Sequence, residues 1–92
     1  MILKIRHRGL RALYERGETK GLNSNWVPRL HRILSLLDVA TEPESLNVSG
    51  YYLHALKGQH KRFWSVRVTG NWRVIFRFED EDVTDIDLVD YH

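Results

Sequence analysis

The sequence predicts an α+β fold, a small twisted and mostly antiparallel β-sheet with two helices from the N-terminal half packed on one face. Two amphipathic helical patterns occupy the first half of the 92 residues, and alternating apolar segments joined by short turns occupy the second half. Helices followed by a run of strands favour this architecture over alternating parallel units. We therefore expect one domain spanning residues 1–92, with the element order β-α-α-β-β-β-β.

The first half is predicted to contain a short strand and two helices. Residues 2–6 suggest the strand, and residues 8–16 suggest a helix that ends at Gly17. A second helix is expected over residues 25–40, where Pro28 is compatible with the first turn. Its apolar stripe consists of Val27, Leu30, Leu34 and Leu37, which leaves Arg29 and Arg32 facing away as candidate contacts for a polyanion.

The second half is predicted to form four strands. Gly70-Asn71 is a two-residue hairpin signal, and the acidic segment 79–82 is a further turn. Alternation around the hairpin places Trp72 and Val74 on the core face and Arg73 on the opposite, open face. The predicted strands cover residues 51–56, 63–68, 72–78 and 83–91.

The net charge of +2 is divided into blocks of opposite sign. Residues 1–34 and 51–77 are strongly basic, whereas residues 35–50 and 78–92 contain acids and no Lys or Arg. Basic segments that carry aromatic residues are typical of RNA-binding proteins, although a solvated surface of mixed charge gives the same pattern. The chain has no cysteine, no apolar run long enough for a membrane span and an N-terminus too charged for a signal peptide. We expect a cytoplasmic protein without a membrane partner.

RNA cleavage without a metal ion needs a base, an acid and cations. The base takes the proton of a ribose 2′-hydroxyl, the acid protonates the leaving 5′ oxygen, and the cations stabilise charge on the phosphate. Histidine suits proton transfer because its ordinary pKa is about 6.5. The sequence contains neither a glycine-rich phosphate loop nor a convincing pair of metal-ligating histidines, so we expect no metal and no cofactor.

Three segments supply candidate residues. His54 and Lys57 are close enough to act on one phosphodiester, but they are also compatible with a backbone-bonded histidine and a solvated lysine. Arg73 is a candidate phosphate clamp, with an ion pair to the acidic last strand as the alternative, which we prefer for Arg77. The C-terminal residues Asp90, Tyr91 and His92 are either part of a site or a frayed tail.

These segments together resemble HigB-type toxins of the RelE/ParE superfamily of toxin–antitoxin modules. The resemblance covers nearly the whole chain and is carried by the following motifs: His7-Arg8-Gly9-Leu10, Tyr52-Leu53-His54-Ala55-Leu56-Lys57-Gly58, Trp64-Ser65-Val66-Arg67-Val68, Asn71-Trp72-Arg73 and Asp90-Tyr91-His92. Ala55 stands where proline is usual in such toxins, and Gln59 stands where an acid is usual.

The resemblance implies a RelE-like fold and cleavage of translated mRNA in the A site of the 70S ribosome. It implies a HigA-type antitoxin with a helix-turn-helix domain, whose complex with the toxin binds operator DNA. The residue roles that it implies are catalysis by His54, Asp90, Tyr91 and His92, and phosphate binding by Lys57 and Arg73. Two alternatives on the same fold remain, a ParE-like inhibitor of DNA gyrase and an inactive toxin that serves as a corepressor.

Overall fold

The alternating apolar residues of the second half build a four-stranded antiparallel sheet. In a computed structural model, which describes residues 1–90, the strands are β1 (His54–Ala55), β2 (Trp64–Thr69), β3 (Trp72–Glu79) and β4 (Asp82–Asp90). They lie in the order β1-β2-β3-β4, so each strand pairs with the next one along the chain. The hairpin predicted at Gly70-Asn71 is confirmed as the connection between β2 and β3.

One face of this sheet forms the hydrophobic core together with the two helices. Val66 and Val74 are paired across β2 and β3, and both are fully buried with Phe76. Burial of one such side chain stabilises the fold by about 1.5–3 kcal/mol. The predicted α+β class, with helices on one face of the sheet, is confirmed.

The first helix, α1, spans Arg8–Arg16, as predicted. His7 caps its N-terminus, because the imidazole Nδ1 accepts a hydrogen bond from the backbone N–H of Leu10. Gly17 ends the helix with a left-handed φ of 69°, which glycine adopts without steric cost. Leu10 and Leu13 are buried against the core.

The second helix, α2, spans Val27–Val39 and follows a 3₁₀ turn at Ser24–Trp26. Pro28 lies in the first helical turn, where no backbone N–H is needed. The predicted limits of 25–40 therefore differ from the observed ones by one or two residues. The buried stripe consists of Leu30, Ile33, Leu34 and Leu37.

The predicted strand at residues 2–6 is wrong as a continuous strand. The backbone of this segment pairs with β4 at only two isolated parallel bridges, between Ile2 and Val83 and between Ile5 and Ile86. Asp85 lies between these two bridges, at an irregularity of β4, and has a left-handed φ of 54°. This kink interrupts the regular ladder that a parallel strand would need.

The strand predicted at residues 51–56 is shorter than expected. Tyr51 is buried in the core, and Tyr52 has a left-handed φ of 51°, so the extended pairing begins only at His54. Two 3₁₀ turns, at Pro43–Leu46 and Gly58–His60, were not predicted. No helix within residues 1–90 is long and apolar enough to cross a membrane.

Candidate active site on the open face of the sheet

The sheet face opposite the helices carries the candidate residues. Directly paired residues of an antiparallel sheet project to the same face, which allows the composition of this open face to be followed from strand to strand. One row across the sheet contains His54, Ser65, Ile75 and Asp87, and the next row contains Arg67, Arg73 and Val89.

His54 lies on the edge strand β1 with an exposed side chain. Its Nδ1 is 3.1 Å from the backbone carbonyl oxygen of Tyr52. A carbonyl can only accept a hydrogen bond, so Nδ1 carries the proton in the neutral ring and Nε2 carries the lone pair. The open nitrogen of His54 is therefore a proton acceptor.

The left-handed turn at Tyr52 brings this carbonyl to His54. A φ of 51° is strained for a bulky residue, and such a conformation costs on the order of 1–3 kcal/mol. Neighbouring contacts hold the turn in place. The N–H of Arg67 donates to the carbonyl of Tyr51 at 2.7 Å, and the guanidinium of Arg67 lies 5.5 Å from the centre of the Tyr52 ring.

Arg29 also supports this turn, which corrects its assignment as an outward-facing contact. Its Nη2 donates to the carbonyl of Gly50 at 2.6 Å, and its Nε donates to the carbonyl of Arg67 at 2.9 Å. The guanidinium also lies 4.7 Å from the centre of the Tyr51 ring. Arg29 thus joins α2 to β2 and to the loop before the site, whereas Arg32 is exposed as expected.

Lys57 is exposed two residues beyond β1 and immediately precedes Gly58. Gly58 has a φ of 71°, so the chain turns away at this point with little steric cost. Lys57 and His54 thus lie close together in sequence at the same edge of the sheet. The phosphate-binding role of Lys57 stays a prediction.

Arg73 lies on β3 and faces away from the core, as predicted. Its Nη1 is buried and has no hydrogen-bond partner among residues 1–90. Arg67 on β2 is the direct partner of Arg73 in the register, so the two arginine side chains leave the backbone from directly opposite positions on the same face. The predicted ion pair of Arg77 with the acidic last strand is confirmed by a distance of 2.7 Å from its Nε to Oδ2 of Asp85.

Asp85 is the buried acid of this region. Burial alone raises the pKa of its carboxyl, but hydrogen bonds from Arg77 and Arg6 and the charges of these two arginines outweigh burial and hold the pKa below its usual range. The carboxylate therefore remains charged at neutral pH. It neutralises Arg77 and Arg6, but it forms no ion pair with Arg67 or Arg73.

Asp90 lies at the end of β4 and is exposed. Asp90 pairs with Trp72 in the register, so its side chain leaves the backbone on the face of the sheet opposite to that of Arg73. Three strand spacings, roughly 14 Å, separate β4 from β1. Tyr91 and His92 lie outside the described residues, and the catalytic roles predicted for Asp90, Tyr91 and His92 stay predictions.

Two open-face residues were missed in the sequence. Ser65 is the direct partner of His54, and its buried Oγ has no hydrogen-bond partner within the described part of the chain. Arg67 follows two residues later on the same face. The alternation that places Trp64 and Val66 in the core also places Ser65 and Arg67 on the face of Arg73, so the signal was present. Within residues 1–90, no three His, Asp or Glu side chains are close enough to hold a metal ion.

Two helices on one face of a four-stranded antiparallel sheet, with arginines on the open face, form an α+β fold of the kind expected for RelE-like toxins. Comparison with known proteins gives the particular family. The family model for the RelE-like toxin of type II toxin–antitoxin system HigB matches residues 3–92. The endoribonuclease HigB of Proteus vulgaris is 40% identical over 92 residues, which cover the whole of both chains. The chain belongs to the HigB family of RelE-like toxins, and membership of a type II system implies an antitoxin partner.

Proposed function

We propose that the chain is a metal-independent endoribonuclease that inhibits translation. The observation that carries this proposal is the exposed His54, whose Nδ1 bond to the Tyr52 carbonyl leaves Nε2 as a proton acceptor beside the cationic open face. The name of the Proteus vulgaris relative supports the same activity. Residues 1–92 act as one toxin domain.

In the proposed reaction, Nε2 of His54 takes the proton of a ribose 2′-hydroxyl. The 2′ oxygen forms a bond to the adjacent phosphorus, and the bond from phosphorus to the 5′ oxygen breaks, which leaves a 2′,3′-cyclic phosphate. His92 supplies the proton for the leaving oxygen, supported by Asp90 and Tyr91. Arg73 and Lys57 stabilise the additional negative charge on the phosphate.

The substrate of this activity is mRNA in the A site of the 70S ribosome. The described site contains few groups that could position a flexible single strand, and positioning contributes about 7–11 kcal/mol to well-oriented reactions. The ribosome supplies that positioning, so translated message is cut well and naked RNA poorly. The antitoxin is of the HigA type, it carries the contact with operator DNA, and the toxin acts in the cytoplasm.

Substitution of His54 tests the proposal. His54→Gln removes the proton acceptor from an exposed position, so we expect cleavage to fall by a factor of about 10²–10⁴ with little change in melting temperature. His31→Gln is the matched control, because His31 is an exposed histidine on α2, in the opposite layer. Cleavage is mapped by primer extension on translating ribosomes, with naked RNA and with a metal chelator in parallel reactions.

Each arm of this experiment can contradict part of the proposal. Unchanged cleavage by His54→Gln would exclude His54 from the mechanism. Loss of cleavage in the presence of the chelator would contradict a metal-independent reaction. Equal cleavage rates on naked and translated RNA would contradict the proposed dependence on the ribosome. Growth arrest without any cut message contradicts the nuclease and favours a gyrase inhibitor. Deletion of His92 alone should abolish cleavage while antitoxin binding is retained.

A further inference from the structure

Arg67 lies between the two best-placed residues of the candidate site. It is the direct partner of Arg73 across β2 and β3. It is also the diagonal neighbour of His54, because His54 pairs with Ser65 two residues earlier on β2. Diagonal neighbours in an antiparallel sheet are separated by about 7–8 Å between backbone positions, which is within the reach of an arginine side chain.

In the absence of an anion, the pairing of Arg67 with Arg73 lowers the stability of the sheet. Like charges directly opposite each other destabilise a sheet, and neither guanidinium forms an ion pair within residues 1–90. The acid nearest by register, Asp87, instead accepts a hydrogen bond from the N–H of Leu88. The buried Nη1 of Arg73 adds a further cost, because this donor has no acceptor in the part of the chain that the structure describes.

We propose that Arg67 and Arg73 are the two arms of a cleft that binds one phosphate of the RNA substrate next to His54. Each guanidinium presents paired donors suited to phosphate oxygens, and an anion between them offsets their mutual repulsion. That the phosphate belongs to RNA rests on the proposed function. The binding of an anion by the arginine pair does not.

The contacts of Arg67 show why its side chain can be replaced without loss of the fold. The backbone of Arg67 forms the bonds that fix β2, since its N–H donates to Tyr51 and its carbonyl accepts from Arg29. Within residues 1–90, the guanidinium contacts the exposed ring of Tyr52. Substitution of the side chain leaves the backbone bonds in place.

Binding of inorganic phosphate to the full chain tests the cleft directly. Phosphate is titrated by NMR and by thermal melting, against chloride at the same ionic strength. We expect Arg67→Gln and Arg73→Gln each to weaken phosphate binding by at least about tenfold. Arg67→Lys, which keeps the charge but loses the paired donors, should give an intermediate loss. Arg11→Gln is the control, because it makes the same change in charge at an exposed position on α1.

The outcomes separate a specific cleft from general charge attraction. If Arg11→Gln weakens binding as much as Arg67→Gln, or if Arg67→Gln binds phosphate as the unchanged chain does, the cleft is wrong. If Arg67→Gln does not fold, the Arg67→Lys variant is the deciding test. If Arg67→Lys binds phosphate as tightly as the unchanged chain, the paired-donor contact is wrong. Phosphate that fails to bind the unchanged chain also overturns the proposal.

RNA cleavage then separates this inference from the proposed function. Arg67→Gln should lower kcat/KM for message cleavage by at least about tenfold, whereas Arg11→Gln should not. Cleavage by Arg67→Gln at the unchanged rate contradicts the inference and leaves the nuclease intact. Phosphate binding that depends on both arginines, in a chain that cuts no message, contradicts the nuclease and leaves the anion cleft intact.

Discussion

The contacts of Asp85 make it the strongest test of how the sheet is held together. Its Oδ2 accepts from Nε of Arg77 at 2.7 Å, and its Oδ1 accepts from Nε of Arg6 at 3.1 Å. One carboxylate therefore connects β3, β4 and the N-terminal segment, which has only two isolated backbone bridges to β4. Asp85→Asn tests this connection and keeps a residue type that tolerates the left-handed φ of 54°.

The expected loss follows from the exposure of each partner. The side chain of Asp85 is 9% exposed and that of Arg77 is 28% exposed, so their hydrogen bond is in the range of about 1.5–3 kcal/mol for bonds to charged groups. Arg6 is 52% exposed, and solvent reduces its contribution to about 0.2–1 kcal/mol. We expect Asp85→Asn to cost about 2–3 kcal/mol, which corresponds to roughly 10–20 °C in Tm for a domain of this size.

Thermal and urea unfolding at neutral pH measure this loss. The variants Arg6→Gln and Arg77→Gln show how much of the lost free energy of unfolding each arginine accounts for. The double variants with Asp85→Asn give the coupling energies. Asp85→Ala should be less stable than Asp85→Asn, because alanine adds the strain of the positive φ. A free energy of unfolding for Asp85→Asn within about 0.5 kcal/mol of the unchanged chain would refute the reasoning.

The pH dependence gives an independent check on the same residue. The folded state lowers the pKa of Asp85, so its stabilisation is fully present above the unfolded pKa, near 3.9, and is lost as the pH falls through the folded pKa. Asp85→Asn should therefore show a shallower loss of stability on acidification below about pH 4. Parallel acid unfolding curves for the two proteins would contradict this.

Two further predictions concern the helices. The phenol of Tyr14 donates to Asp38 at 2.6 Å, and this hydrogen bond, with burial and the charge of Asp38, raises the pKa of Tyr14. Tyr14→Phe should lower the free energy of unfolding slightly at neutral pH and make the decrease of that free energy above about pH 10 smaller. Unfolding measured against pH, with tyrosinate absorbance to follow ionisation, checks this, and an unchanged decrease at alkaline pH would contradict it. Gly9→Ala would place a Cβ 2.9 Å from the carbonyl oxygen of Gly21, so we expect a loss of about 1–3 kcal/mol in urea unfolding, and a neutral result would show that the 21–22 loop moves freely.

The elements that the sequence predicted well are those whose signals are local. α1 was predicted at its observed limits, because the apolar spacing and Gly17 specify the helix and its end. The Gly70-Asn71 hairpin and the core face of β3 follow from turn chemistry and alternation, which need no knowledge of distant residues. The open-face position of Arg73 came from the same alternation.

The elements that were missed depend on contacts between distant parts of the chain. The left-handed turn at Tyr52 is held by Arg29 and Arg67, which are far from it in sequence. The interruption of the N-terminal strand coincides with the left-handed kink of β4 at Asp85, which is far from residues 2–6 in sequence. No local pattern at residues 2–6 or 51–56 reports these contacts, so both segments were predicted as ordinary strands.

Unfavourable features of the described structure are concentrated on or beside the open face. Ser65 and Arg73 carry the buried side-chain polar atoms that have no partner within residues 1–90. Arg67 and Arg73 are opposed like charges, and the strained turn at Tyr52 lies next to both His54 and Arg67. Such local costs, on the order of 1–3 kcal/mol each, persist where the surrounding structure imposes them, and they are commonest at functional sites. On the core face, by contrast, most apolar side chains are buried in one cluster with the helices. This asymmetry supports the open face as the surface that meets the substrate, since an anionic ligand would offset the repulsion that the isolated chain retains.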